Sequence, residues 1–440
     1  MGGDVTRAIE ISLAARCWAA SELLRRAVSA ELVGKSRISA DSEVCRIRVD
    51  GVFVEVPCSR HLTPGKFRNA SVFGVRVAQA DGSAPSSVAG SGTESDPLRF
   101  SDDLVGLTFA MLNRLEELKP VHFDPWGRFP VELSAAYRSD MVDRPIVDEY
   151  AEALRAAVRS VRPRIAGRQS GVSYFMTHDI DNVGVPFRLT TSAGHILRRG
   201  NALAFAQDIG SRLGVGVPAR WRGLQHLLRE GKQRDLRLNF YFKFSGPTSH
   251  DSGYDLRAPV FKRYLTAIED AGHEAGIHPG YFTMGDEPAL SEEIRRFREI
   301  FGRSPHGGRQ HYLRWTPKSW GEWERAGLRY DSSVGWPTLP GFRAGTAVPY
   351  HPWNFEADAP YRLVEVPLVF MDTSAFDDLH LSGSEAISVA AEFIEKCRTV
   401  GGVFTTLWHN CRVIDSEHSF AFRGTANLIR ELPCYEVNEC

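Results

Sequence analysis

The chain reads as an α/β protein: a parallel sheet with crossover helices, open or closed into a barrel, preceded by an N-terminal α+β region. Three observations lead there. From Gly171 to His409 short apolar, β-branched and aromatic runs alternate with helix-patterned segments, the signature of parallel strands joined by helices. Before residue 165 the signals are of another kind, with an amphipathic helix, a hairpin and turn-rich stretches. Finally, the uncommon polar residues of the second half fall where strands end, which is where parallel α/β folds build their active sites.

The 440 residues suffice for two domains, and apolar (43%) and charged (24%) contents are those of a globular chain. A net charge of −1 leaves no electrostatic footprint for nucleic acid. Seven scattered cysteines without a Cys-x-x-Cys pair argue against a disulfide scaffold and a zinc knuckle. No run nears the ~20 apolar residues that span a bilayer, and arginines interrupt the Ala/Leu-rich N-terminal segment, so the expected location is cytoplasmic.

In chain order, Ile9 to Ala30 is a predicted helix. The stretch Cys45 to Val56 is a predicted hairpin around Asp50-Gly51, and Asp81 to Pro97 a flexible surface loop. Predicted helices over Asp103–Leu118 and Asp148–Val161 flank an ordered, aromatic turn, Asp124-Pro-Trp-Gly-Arg-Phe-Pro. A boundary near residue 165 divides a 1–165 accessory region from a 166–440 domain. Beyond it, strands are expected ending at Met176–Asp181, Leu236–Phe244, Glu274–His278, Gly308–His311, Leu328–Ser333, Leu363–Met371 and Gly402–His409. Helices are expected over Ala258–Asp270, Ser291–Phe301, Lys318–Ala326 and Glu385–Val400.

Asp179 and Asp181 organise this second half. Two residues apart on a strand, they share a face, and neighbouring carboxylates are costly unless a cation or shared proton relieves them. One metal ligand and one acid-base group is the functional reading; turn-capping or solvated aspartates is the bland one. Further along, His278, Arg309, His311, Asp331 and His409 stand at other strand ends. Each alone is weak evidence, but together they point to one face.

These residues resemble the motifs of the polysaccharide deacetylase family, with its nodulation-factor deacetylase homology domain, over roughly residues 170 to 415. Thr177-His-Asp-Ile-Asp is similar to the first motif, which makes Asp179 the catalytic base and Asp181 a metal ligand. Gly272-His-Glu-Ala-Gly-Ile-His resembles Gly-His-Glu-x-Gly-x-His, in which the last histidine, here His278, binds metal and His273 is structural. Arg309 is similar to the arginine that orients the base, and His409 in Leu407-Trp-His to the general acid. The implied fold is a distorted, partly closed (β/α) barrel of the polysaccharide deacetylase type with an N-terminal α+β domain.

Two departures stand out. The family's second metal histidine lies four positions after the first, where this chain has Phe282, and His311 stands where a proline is usual. His311, on the same strand face as Arg309, is the expected third ligand, with His273 the alternative. Asp331 and Asp372 compete as the group that orients His409. Tyr312, through its amide, and Trp315 and Trp408, as stacking surfaces, are the candidate substrate contacts; Trp336 and Trp353 offer further aromatic surface of the same kind.

The resemblance implies a divalent metal, zinc in the first instance, and removal of an acyl group from an amino sugar in cell-surface polysaccharide or O-antigen synthesis. A saccharide or nucleotide-sugar is the expected partner, with no nucleic acid and no membrane span. A hydrolase of non-sugar amides and a non-catalytic saccharide-binding protein with a degenerate metal site are the alternatives.

Overall fold

A computed structural model of the chain describes residues 11–28, 37–40, 44–58, 66–73, 75–80, 87–118, 122–165, 167, 171–181, 219–253, 256 and 259–437. The N-terminal half opens with α1 (Leu13–Ala27), whose N-terminus is capped by the Ser12 side chain accepting from the Ala15 amide. A five-stranded sheet follows, in the order β1 (Arg37–Ala40), β2 (Val44–Val49), β3 (Val52–Pro57), β7 (Leu98–Phe100) and β6 (Val88–Ala89). The β2–β3 hairpin turns at Asp50 and Gly51, both with positive φ (45° and 83°), the conformation that Asp-Gly favours. A separate hairpin of β4 (Phe67–Val72) and β5 (Val75–Ala80) lies beside α3 (Ile146–Val161). Between them, the expected helix over 103–118 is α2 (Leu104–Leu112) and then a short 3₁₀ turn, because Arg114 adopts a left-handed conformation (φ 50°) that breaks the α-helix. The loop expected over 81–97 lies partly outside the described residues. Its described part carries β6 and a turn in which Asp96 accepts from the Ser91 amide.

Beside a small hairpin of β13 (Trp353–Asn354) and β14 (Ala359–Pro360), the second half is built on an eight-stranded sheet in the order β15 (Val364–Glu365), β12 (Tyr330–Asp331), β11 (Gly307–Gly308), β10 (Glu274–Ile277), β9 (Asn239–Phe242), β8 (Ser173–Ile180), β17 (Val403–Leu407) and β16 (Phe370–Met371). Every pairing in it is parallel. Its two edge strands, β15 and β16, are consecutive in the chain, and the short link between them is tied on both sides. Val366 N–H bonds Asp331 O at 2.8 Å, and Val369 N–H bonds Thr405 O at 3.1 Å. The sheet therefore curls into a distorted, partly closed (β/α) barrel. Helices α4 (Ala219–Arg234), α5 (Pro259–Asp270), α6 (Glu287–Phe301), α7 (Ser319–Arg325), α8 (Gly383–Thr399) and α9 (Ser416–Ile429) accompany it. No described helix is long and apolar enough to cross a membrane.

The expected division at residue 165 falls between α3 and β8, yet one apolar core runs through both sides. The contact is also polar. Arg343 donates to Glu117 at 2.5 and 3.0 Å, and Asp148 accepts from Arg26, from the Thr346 hydroxyl and from the Ala347 amide. Buried charges of this kind hold only when paired and hydrogen-bonded, so the N-terminal half and the 342–353 segment fix one another.

Candidate metal centre and active site

The site is built on the C-terminal ends of β8, β9 and β10 and on the loops after β11, β16 and β17. Asp181 follows β8 directly. Its Oδ1 lies 3.3 Å from His278 Nε2 and 3.5 Å from His311 Nε2, and one ligand atom of each of the three lies within 4.8 Å of the others. Tetrahedral coordination at about 2.0–2.1 Å puts ligand atoms about 3.3–3.4 Å apart, which is the spacing seen on both sides of Asp181.

Each imidazole is held by its far nitrogen. His278 Nδ1 bonds the Arg309 carbonyl at 2.6 Å and His311 Nδ1 bonds Asp251 Oδ1 at 2.7 Å, so both donate there and aim the Nε2 lone pair inward. Asp181 Oδ1 and His278 Nε2 are buried and have no hydrogen-bond partner. Two orphaned acceptors facing one another are costly unless a cation lies between them, and an N₂O donor set fits a divalent ion.

Asp179, on β8, lies behind this triad. Its Oδ1 accepts from Arg309 Nη1 at 3.1 Å, and its Oδ2 is 3.5 Å from His278 Nε2. Arg309 is itself fully buried and spoken for: Nη1 also reaches Thr177 Oγ1 (2.7 Å), Nε the Ser332 carbonyl (2.8 Å) and Nη2 the Ser332 hydroxyl (2.9 Å). On another side, after β17, His409 Nδ1 is 2.6 Å from Asp372 Oδ1, and its amide donates to Asp372 Oδ2 at 2.8 Å. Burial favours the neutral ring, but Asp372 outweighs it and pushes the His409 pKa up to about 9. His409 Nε2 faces Asp181 Oδ2 at 3.8 Å. Of the two candidates for orienting His409, Asp372 makes the contact. Asp331 instead bonds the amide and hydroxyl of Ser333.

His311 reaches the triad by a route other than the expected strand face. Strand β11 ends at Gly308, and a turn that places Tyr312 in the left-handed region (φ 62°) carries the imidazole across. His273 sits at the opposite end of β10, where its Nδ1 accepts from the Leu238 amide and burial lowers its pKa to about 4. Tyr312 adjoins His311, ring centroids 4.5 Å apart.

The proposed stacking surfaces need correction. Trp315 and Trp408 are 2% and 0% exposed, packed against Trp320 and Phe370 respectively, and Trp336 and Trp353 are buried too. Aromatic character marks a residue for burial or for stacking alike, and here the core has taken all four. The exposed aromatics near the mouth are Phe282 (56%) and Trp126 (40%). Trp126 belongs to the 124–130 turn of the N-terminal half, which docks onto the ligand-bearing loops. Tyr281 Oη donates to the Trp126 carbonyl at 3.0 Å, and Arg128 Nη1 to the Tyr312 carbonyl at 3.2 Å.

Sequence reading missed Asp251 and Lys243. Asp251 lies in the loop after β9 and also accepts from the Tyr281 amide (3.0 Å) and the Thr248 hydroxyl (2.8 Å). Burial opposes its ionisation, yet the bond from His311 and the other donors bring its pKa down to about 2. Nothing in Thr248-Ser-His-Asp signals a partner 60 residues on. Lys243 follows β9 with its side chain 2% exposed, and Nζ is 3.5 Å from Asp181 Oδ1.

A family model described as a family of unknown function (DUF7033) matches residues 36–163. No curated protein matches the chain. Solved structures that it resembles include a Mycobacterium smegmatis protein provisionally described as a polysaccharide deacetylase, with 18% identity, 61% of this chain and 88% of that one covered, and a TM-score of 0.43. An allantoinase, Puue, gives 15%, 61%, 87% and 0.41. A family 4 carbohydrate esterase from Streptomyces lividans, solved with acetate, gives 13%, 60%, 92% and 0.32.

Proposed function

We propose that the chain is a divalent-metal-dependent deacylase that removes an acyl group, acetyl in the first instance, from an amino sugar. The observation that supports it most is the meeting, on one barrel face, of a ligand triad (Asp181, His278, His311) with a carboxylate held by Arg309 (Asp179) and an imidazole held by Asp372 (His409). Asp181, His278 and His311 would hold the ion. When bound, it would supply a water of lowered pKa and polarise the acyl carbonyl, and zinc suits the donor set. Asp179, oriented by Arg309, takes the proton from the attacking water. His409, kept protonated by Asp372, gives a proton to the departing amine. The Tyr312 amide, next in the chain to His311, would donate to the developing oxyanion, with the exposed Trp126 and Phe282 as the aromatic surface for the sugar.

A role in cell-surface polysaccharide or O-antigen synthesis, with a saccharide or nucleotide-sugar as substrate and a cytoplasmic location, extends the same reading. The experiment is release of acetate from N-acetylated amino sugars by the chelator-treated protein with and without added zinc. Zinc-dependent release supports the proposal. Tight zinc binding with no release from any N-acylated sugar favours the saccharide-binding alternative, and release from non-sugar amides alone favours the amidase.

A further inference from the structure

Among the described residues around Asp181, the buried Lys243 ammonium is a charged group for which the reaction above has no use. It stands 3.5 Å from Asp181 Oδ1, the same oxygen that His278 and His311 approach at 3.3 and 3.5 Å. Its second carboxylate neighbour, Asp251 Oδ1 at 4.0 Å, is the acceptor that orients His311. One cation thus lies between the oxygen that would ligate a metal and the oxygen that steers a ligand. Asp181, which burial alone would make hard to ionise, is kept well on the anionic side by Lys243 first, then by His311, His278 and His409.

We propose that Lys243 is a resident counter-ion of the ligand set, competing with the divalent cation for Asp181 and setting how tightly the metal is held. The proposal rests on the metal-dependent reading and deepens it. Without metal, Asp179, Asp181 and Asp251 would crowd a nearly dry pocket, and the ammonium together with Arg309 keeps the ligands in place. A divalent ion held by the same ligands would meet this ammonium as a like charge a few ångströms away, and Asp251, 4.0 Å from Nζ, would be the carboxylate left to pair with it. Even at an effective dielectric of ~20, such a charge is worth a factor of at least ~10 in affinity.

This predicts a sign that a merely structural lysine does not give. Removing the charge destabilises the metal-free protein, because Asp181 loses its partner, and strengthens metal binding. The test is calorimetric titration of zinc chloride into chelator-treated parent and Lys243→Met proteins, with thermal denaturation of each with and without zinc. Lys243→Gln serves if the methionine variant does not fold. The expected result is zinc affinity raised at least ~10-fold, a lower melting temperature without zinc, and a larger zinc-induced rise.

Equal or weaker zinc binding by the variants overturns the role of Lys243 and leaves the metal-dependent reading standing. A lowered melting temperature with and without zinc alike, at unchanged affinity, also overturns it and makes Lys243 a packing residue. Binding by the variant where the parent binds none supports it in its strongest form. Absence of binding in parent and variants alike sinks both this proposal and the metal-dependent reading.

Discussion

Two carboxylate pairs are buried in this barrel, and they behave oppositely. At the mouth, Asp179 near the end of β8 and Asp181 just past it are surrounded by Arg309, Lys243 and histidines, so Asp181 stays ionised. On the opposite wall, Asp331 and Glu365 face each other across the β12–β15 pairing. They receive neutral donors: the Ser333 amide and hydroxyl for Asp331, the Trp320 indole and Val334 amide for Glu365. Burial there pushes Asp331 up to about 7 and Glu365 well above the usual carboxylate range. What separates the two is the cations beside the first pair, the Lys243 ammonium 3.5 Å from Asp181 and the Arg309 guanidinium 3.1 Å from Asp179, against neutral donors and complete burial at Asp331 and Glu365.

That contrast breaks most visibly at Asp179. Asp179→Asn should cost ~10²–10⁴-fold in the rate of acyl release, the loss expected of a missing general base, while zinc affinity stays close to the parent's. Loss of zinc from the folded variant would show that the two aspartates are assigned the wrong way round. A smaller effect is expected from Asp251→Ala, which leaves His311 without the acceptor that fixes its tautomer. Zinc affinity should fall ~10–100-fold, read by competition with a chromogenic chelator. An unchanged affinity would mean that His311 needs no orientation from Asp251.

The inert pair is tested by pH. A carboxyl whose folded pKa is raised binds more protons in the native state, so its stabilising effect is full below its unfolded pKa of ~3.9. That effect is lost as pH rises through the folded value of about 7. The melting temperature of the parent should therefore decline between about pH 4 and pH 7 from this source, and Asp331→Asn should flatten the decline. An identical slope in the variant would place the ionisation elsewhere. The smallest effect belongs to Trp126→Ala, at the edge of the mouth. It should raise KM for a saccharide substrate several-fold with kcat nearly unchanged, and a fall in kcat alone would move Trp126 from binding to positioning.

How far the site was legible follows from the reach of each interaction. Asp179, Asp181, His278 and His409 stand one or two residues from the ends of apolar strands, and strand periodicity places such residues on the barrel mouth. The alternation of strands and helices gave the fold for the same reason. Lys243, one residue past β9, meets the same criterion but was hidden by the expectation of a strand running on to Phe244, whereas Asp251, well into the following loop, is invisible to that logic. His311 was expected beside Arg309 on a strand, whereas a left-handed residue in the following turn positions it. The tryptophans failed for a different reason: Trp315 and Trp408 carry the composition of a sugar platform and the burial of a core. Nor did the change of pattern at residue 165 reveal how firmly Glu117 and Asp148 tie the N-terminal half to the barrel.

The account turns on the third ligand. Its most direct test is zinc titration of His311→Ala beside His273→Ala, each stripped with chelator and checked for folding. The structure sets His311 Nε2 3.5 Å from Asp181 Oδ1 and leaves His273 at the far end of its strand. The prediction is a large loss of affinity in His311→Ala without unfolding, and near-parental affinity in the folded fraction of His273→Ala, whose cost is to stability. Parental zinc binding by His311→Ala, with loss in His273→Ala, would contradict it.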